Sequence, residues 1–293
     1  MIKKISIIGA GYVGSSIAYS LMLIEAAEEI ALIDVNPVAV NAEVADIRPG
    51  LSAISPSKVY RGSYADAADS DIIIVTAGVS RKPNESRLDL IGKNAAIARE
   101  IAQNLKTNDA HGIVVVVSNP VDVITRIFAE ELNELSGRVF GTGCILDSAR
   151  FRSVLADFLN VSESSVQAFV AGEHGAGQVP LWSSVRINGN PVELNEADKQ
   201  KIAAKVANTG AEIIAGKGRT HYGIAGCVAY IVNEMKEHHQ TLLSLTFPVS
   251  ADKACISRPC LLTDGGVREI ENSLSEAELT LINQAAAKLE KIL

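Results

Sequence analysis

The segment Gly172-Glu173-His174-Gly175 holds the residue of this sequence best suited to moving a proton near neutral pH, because an imidazole ordinarily titrates at about 6.5. The flanking glycines place His174 in a turn, whereas a histidine with a packing role more often sits on an apolar helix face. A second stretch, Leu146-Asp147-Ser148-Ala149-Arg150-Phe151-Arg152, supplies what such a histidine needs. A carboxylate at Asp147 can hydrogen-bond the far ring nitrogen, fix the tautomer and favour the imidazolium. The competing reading of Asp147 is a helix cap ahead of Ser148. Arg150 lies three residues beyond it, so on a helix the two project from nearly one face. Its guanidinium offers a two-pronged match to a carboxylate that lysine cannot reproduce. Arg152 points elsewhere and reads as a solvated or interface residue. A base for a hydroxyl proton beside an anchor for a carboxylate suits oxidation of a small hydroxy acid by hydride loss.

Hydride loss needs an acceptor, and the sequence offers a place for one. Gly9-Ala10-Gly11-Tyr12-Val13-Gly14 fits the G-x-G-x-x-G pattern, follows an apolar run and opens a helical one. Gly9 allows a tight turn, Gly11 lets backbone approach a pyrophosphate, and Gly14 permits close helix–strand packing at a helix N-terminus. Asp34 closes Ala31-Leu32-Ile33-Asp34, where a carboxylate accepts hydrogen bonds from adenosine ribose hydroxyls. It would also repel a 2′-phosphate, so NAD is expected over NADP. A cap before Pro37 is the duller role for Asp34.

These groups need a scaffold, and the first half of the chain describes one. Ile5–Ile8, Ile30–Ile33, Ile72–Thr76 and Ile113–Ser118 are β-branched, nearly continuous apolar runs, as expected of parallel strands covered on both faces. Helical spacing in Gly14–Leu23, Pro37–Asp46 and Leu88–Leu105 supplies the crossovers. Beyond Gly143 the texture changes to a helix over Ser148–Leu159, an extended run Val166–Ala171 and a hairpin at Asn188-Gly189 between Val185–Ile187 and Val192–Leu194. Glu196–Ala215 reads as a long helix, and Ser275–Leu293 as a closing one, with Ser275 and Glu278 forming a capping box. The predicted fold is α/β: an N-terminal Rossmann-type doubly wound parallel sheet over 1–143 and a C-terminal α+β substrate domain over 144–293.

Composition narrows the partners. The 293 residues are 47% hydrophobic and carry a formal net charge of -7, which argues against a nucleic-acid binder and for a small-molecule partner. The N-terminus runs straight into a strand pattern without a signal peptide or spanning helix, so a cytoplasmic protein away from membranes is expected. Cys144, Cys227, Cys255 and Cys260 form no C-x-x-C pair and read as buried reduced thiols. No metal-ligating set is recognisable, and His221, His238 and His239 read as surface or packing residues.

With Ala77-Gly78-Val79-Ser80-Arg81-Lys82-Pro83-Asn84-Glu85-Ser86-Arg87 and Ser118-Asn119-Pro120-Val121-Asp122 added, the motifs run in the order of one family. The chain resembles the NAD-dependent lactate/malate dehydrogenases over nearly its whole length. The resemblance gives His174 the proton transfer, puts Asn119 near the nicotinamide and the reacting oxygen, and makes Val79–Leu90 a closing lid whose Arg87 polarises the carbonyl. An ordinary turn asparagine before Pro120 is the alternative for Asn119. It also places Arg81 and Thr220 at the substrate's variable end and implies a homodimer or homotetramer.

Arg81 points to malate/oxaloacetate, since a guanidinium beside a methyl group would be closed into a dry pocket unpaired. Gly141-Thr142-Gly143, Gly172-Glu173-His174-Gly175, Pro180-Leu181-Trp182-Ser183 and Thr220 lean toward lactate-type relatives. Weighing the contact residue more heavily favours malate, with a lactate-like monocarboxylate as the alternative. Two departures from the family stand out: Asn84 in the lid, and a Met235–Asp264 segment that looks trimmed. A dinucleotide-binding sensor is the non-enzyme alternative. An NAD-dependent glycosidase would need a metal-ligating Cys/His set.

Overall fold

Isoleucine and valine runs pair side by side as parallel strands in a computed structural model that describes residues 2–79, 87–133, 137–248, 255–271 and 274–291. In chain order the first half gives β1 (Lys4–Ile8), α1 (Tyr12–Leu23), β2 (Glu29–Ile33), α2 (Pro37–Leu51), β3 (Lys58–Arg61) and α3 (Tyr64–Ala68). It continues with β4 (Ile72–Val75), α4 (Arg87–Thr107), β5 (Ile113–Val116), α5 (Val121–Glu131) and β6 (Val139–Gly141). The strands lie in the order β3-β2-β1-β4-β5-β6, with Ile7 opposite both Leu32 and Ile74. That order reverses between β1 and β4, the place where open α/β sheets bind ligands.

Burial explains the strand composition. Ile5, Ile7, Leu32 and Ile74 pack with Ile17 and Leu21 of α1, while Ile8, Val75, Val114 and Val116 pack with Ile101, Leu105 and Phe128 on the other face. Strands β1, β4 and β5 are buried on both faces, so their runs read as continuous rather than alternating. Helix α2 continues past Asp46 through Pro49 because Ile47 and Leu51 are buried beneath it. Two short strands escape the sequence pattern: β3 buries only Val59, and β6 is three residues long.

The second half gives α6 (Ile145–Leu159), β7 (Val166–Gln167), β8 (Val170–Gly172), β9 (Gln178–Pro180), β10 (Arg186–Ile187) and β11 (Asn190–Pro191). Then come α7 (Glu196–Lys217), α8 (Tyr222–Lys236), β12 (Thr241–Phe247), β13 (Ile256–Thr263), β14 (Gly266–Glu269) and α9 (Glu276–Glu290). The extended run expected over Val166–Ala171 divides in two. Its first part joins a small sheet, β11-β10-β7, and its last part joins the large one. The large sheet runs on from β6 through β12, β13 and β8 to β9. The hairpin turn falls on Asn188 and Gly189, both at positive φ, though its strands shrink to two residues each. Within the Met235–Asp264 segment, β12 and β13 span seven and eight residues. Ser275 and Glu278 form the capping box expected for α9. The described residues include no helix long and apolar enough to cross a membrane.

Candidate active site

The glycine loop joins β1 to α1, and its backbone is held from both sides. The Gly9 amide donates to the Ile33 carbonyl at 2.8 Å, and the Ala10 amide to Asp34 Oδ2 at 2.7 Å. Gly14 packs so tightly that a Cβ there would collide with the Gly9 carbonyl. At Gly11 the opposite holds, for a Cβ would enter open space. An open cradle over a helix N-terminus is what an approaching pyrophosphate requires. Asp34 does not cap α2. Asn36 does, accepting from the Val38 and Ala39 amides, while Asp34 Oδ1 takes the Asn36 amide at 2.8 Å.

His174 sits in the turn between β8 and β9. Gly172 makes that turn possible, with φ at +91° and the Gly177 carbonyl where a side chain would stand. The His174 Nδ1 and Asp147 Oδ2 lie 2.7 Å apart. A carboxylate only accepts, so Nδ1 carries the proton and Nε2 is left for the far side of the ring. Asp147 is buried in the first turn of α6, whose cap is Cys144, so the capping alternative falls. Its Oδ1 accepts from Arg150 Nη1 at 3.3 Å, across the three-residue spacing expected of one helix face. Arg152 is half-buried and donates to the Ala168 carbonyl, which corrects its reading as a solvated residue.

Electrostatics favour a charged pair. Burial raises the Asp147 carboxyl, but the His174 hydrogen bond and the nearby His174 and Arg150 charges outweigh it and hold the group below the usual carboxylate range. Burial likewise lowers His174, yet its bond to Asp147 and the Asp147 and Asp122 charges leave it raised above the ordinary histidine value.

Asp122, quoted within a sequence motif but given no role there, is the residue that sequence reasoning missed. It is buried, with Oδ2 accepting from the His174 amide at 2.9 Å and Oδ1 from Thr246 Oγ1 at 2.6 Å. Burial pushes its carboxyl up to about 6. One carboxyl thus ties the His174 turn to β12. Its sequence signal was the acid two residues after Pro120, at a strand's carboxyl end.

A cleft of about 290 Å³ brings Arg150, His174, Asn119 and Thr220 together with Val13 of α1. An adjoining cleft of about 300 Å³ shares Val13 and Asn119 and reaches Thr76, Ser118 and Asn94. Asn119 follows β5, its carbonyl accepting from Asn94 and its side chain from the Val121 amide at 3.3 Å. Tyr12 is exposed at the start of α1. Arg81 and Asn84 lie outside the described residues, and so does the side chain of Arg87, which begins α4. A larger cleft of about 890 Å³ between β9 and α9 contains none of these groups. The four cysteines are free, and burial raises every thiol, Cys255 and Cys260 to about 12, so none is poised as a thiolate.

Comparison with known proteins decides the family. The NAD-binding domain model of the lactate/malate dehydrogenases matches residues 3–141, and their alpha/beta C-terminal domain model matches 144–293. The chain belongs to the lactate/malate dehydrogenase family. An L-lactate dehydrogenase of Acetivibrio thermocellus is 34% identical over 307 residues, covering 100% of this chain and 97% of the relative. One from a Synechococcus species is 35% identical over 99% of this chain and 98% of its own. A crystal structure of a minor L-lactate dehydrogenase from Enterococcus mundtii in a ligand-bound form superposes with a TM-score of 0.95 at 35% identity, covering 99% of this chain and 97% of that one. As a lactate/malate dehydrogenase the chain is an NAD-dependent enzyme. The residues of its glycine loop fit that cofactor, because Gly11 leaves the cradle open and Ala10 fixes Asp34 beside it.

Proposed function

We propose that the chain interconverts L-lactate and pyruvate with NAD. The observation that carries the chemistry is the run of contacts Arg150–Asp147–His174, which opens on a cleft also lined by Val13 of the glycine-loop helix. In the oxidising direction His174 Nε2 takes the hydroxyl proton, and Asp147 stabilises the imidazolium that results. In the reducing direction the same nitrogen gives the proton back. Arg150 pairs with the C1 carboxylate in two-pronged fashion. Asn119 and Arg87 serve the reacting oxygen from the ends of β5 and the lid. Bound NAD supplies the hydride acceptor. Gly9, Gly11, Tyr12, Val13 and Gly14 would hold its pyrophosphate, and Asp34 its adenosine ribose. This reading assigns 1–143 to the cofactor and 144–293 to the substrate, in a cytoplasmic homodimer or homotetramer.

The Asp34 assignment has a direct test in cofactor choice. A 2′-phosphate placed against this carboxylate meets like charge, so NADH is expected to bind on the order of 10²-fold tighter than NADPH. Fluorescence titration of both dinucleotides measures this, and Asp34→Ser should narrow the gap. Equal or tighter NADPH binding by the wild type sinks the assignment.

The choice of acid rests on the relatives, which are named L-lactate dehydrogenases and match this chain over 99–100% of its length. They displace malate from the first place that Arg81 gave it in the sequence. Malate/oxaloacetate stands as the second reading because Arg81 could meet a second carboxylate. On the lactate reading Arg81 has no role in binding the substrate, since an unpaired guanidinium in a closed pocket would cost several kcal/mol. Wild type is therefore expected to show higher kcat/KM for pyruvate than for oxaloacetate, and Arg81→Gln to leave that preference nearly unchanged. A preference for oxaloacetate that collapses in Arg81→Gln establishes the second reading instead.

A further inference from the structure

Thr220 belongs to the connection between α7 and α8 and lines the cleft, while its two neighbours contact side chains of α1. The Arg219 guanidinium stacks over the Tyr12 ring, 3.8 Å from its centroid. His221 Nδ1 lies 2.9 Å from Ser16 Oγ, and its ring also stands 5.9 Å from that of Tyr12. Tyr12 and Ser16 are four residues apart on α1 and so share one face of the glycine-loop helix. The α7–α8 connection is thus pinned twice, on either side of Thr220, to the helix whose first turn faces the cofactor's pyrophosphate.

Thr220 is where such pinning matters. With C1 at Arg150 and the C2 oxygen at His174, the remaining side of the cleft is left for C3 and beyond. Thr220 is one of the polar residues that line this cleft, whose wall also holds Leu146, Ile214 and Ile224. We propose that Arg219 and His221 are positioning residues that fix Thr220 against the substrate's side-chain end, using Tyr12 and Ser16 of the cofactor helix as their anchor. The proposal rests on the assignment of Arg150 and His174 made above. The substrate's length is then read by a residue whose place is set from the cofactor side.

Neighbouring groups suit the latch. Burial, then the charges of Lys217 and Arg219, lower His221 below the ordinary histidine value, which favours the neutral ring beside the Ser16 hydroxyl. Lys217 itself stacks over Tyr222 at 4.3 Å.

The test uses the full chain with Arg219→Ala, His221→Ala and their double variant, and reads three quantities. Hydrogen exchange of amides in 217–222, measured with and without NADH, is expected to quicken about tenfold in the double variant, reflecting loss of one cation–π stack and one hydrogen bond. Exchange in α6 should stay as in wild type. Discrimination between pyruvate and the longer 2-oxohexanoate, as a ratio of kcat/KM, is expected to fall by about tenfold from the same lost contacts. Adding Thr220→Ala should produce no further fall, since all three changes act through one residue. NADH affinity, by fluorescence titration, should stay close to wild type. Unchanged exchange in 217–222 overturns the proposal whatever the enzyme turns over, and so does unchanged discrimination. A wild type that reduces no 2-oxo acid at all is instead a failure of the function proposed above, and the exchange measurement then decides the latch alone.

Discussion

Replacement of His174 by asparagine is expected to lower kcat about 10³-fold, within the range for loss of a positioned acid–base group, while NADH affinity stays near wild type. Asparagine keeps a polar side chain in the turn and leaves the backbone bond to Asp122 in place. It cannot exchange a proton near neutral pH. A pH profile separates this role from a structural one. Reduction of a 2-oxo acid needs the imidazolium, so kcat/KM should be level at low pH and fall above a pKa that lies higher than the ordinary 6.5. Oxidation needs the neutral ring and should rise through the same pKa. Asp147 holds that pKa up by a hydrogen bond and by its charge. Asp147→Asn should therefore move the fall in reduction to lower pH and reduce its height. A His174→Asn enzyme with near-normal turnover removes the mechanism, as would an Asp147→Asn profile unmoved along the pH axis.

The sequence made much of this site legible because its parts lie in short, locally ordered segments. Gly9-Ala10-Gly11-Tyr12-Val13-Gly14 is interpretable once Ile5–Ile8 is recognised as a strand, and Asp147 and Arg150 share a face by helical spacing alone. Their partner His174 lies 27 residues away from Asp147; the flanking glycines put it in a turn, and the family resemblance supplied its role. What stayed hidden depends on packing between distant segments. Asp122 reaches His174 across 52 residues and Thr246 across 124, and Ser16 reaches His221 across 205. No periodicity signals such pairs. Short edge elements were hidden for another reason. In β3 only Val59 is buried, and β6 has too few residues for a pattern. The division of Val166–Ala171 between two sheets was equally invisible, since both halves are apolar enough to be strands.

Arg150→Lys is expected to lower kcat/KM for pyruvate about 10²-fold, mostly through KM, because hydrogen bonds to charged groups contribute about 1.5–3 kcal/mol each. The substitution keeps the charge and removes the fork, so it isolates geometry from electrostatics. A lysine ammonium is a compact point charge that cannot present two parallel N–H groups to a carboxylate. The site gives it little room to compensate. The Arg150 side chain is 14% exposed, shares Asp147 with His174, and passes against Gly210 of α7. Arg150→Gln removes the charge as well and should cost more. It carries a second signature, because Arg150 acts to lower the pKa of His174. Without that cation the fall in reduction rate should move to higher pH in Arg150→Gln, whereas Arg150→Lys should leave it nearly in place. NADH affinity should be spared in both, since Arg150 stands on α6 and the glycine loop follows β1. An Arg150→Lys enzyme with wild-type KM for pyruvate would show that the C1 carboxylate is held elsewhere. The profile shift in Arg150→Gln would then report only on Asp147 and His174, and the substrate would need a different orientation in the cleft.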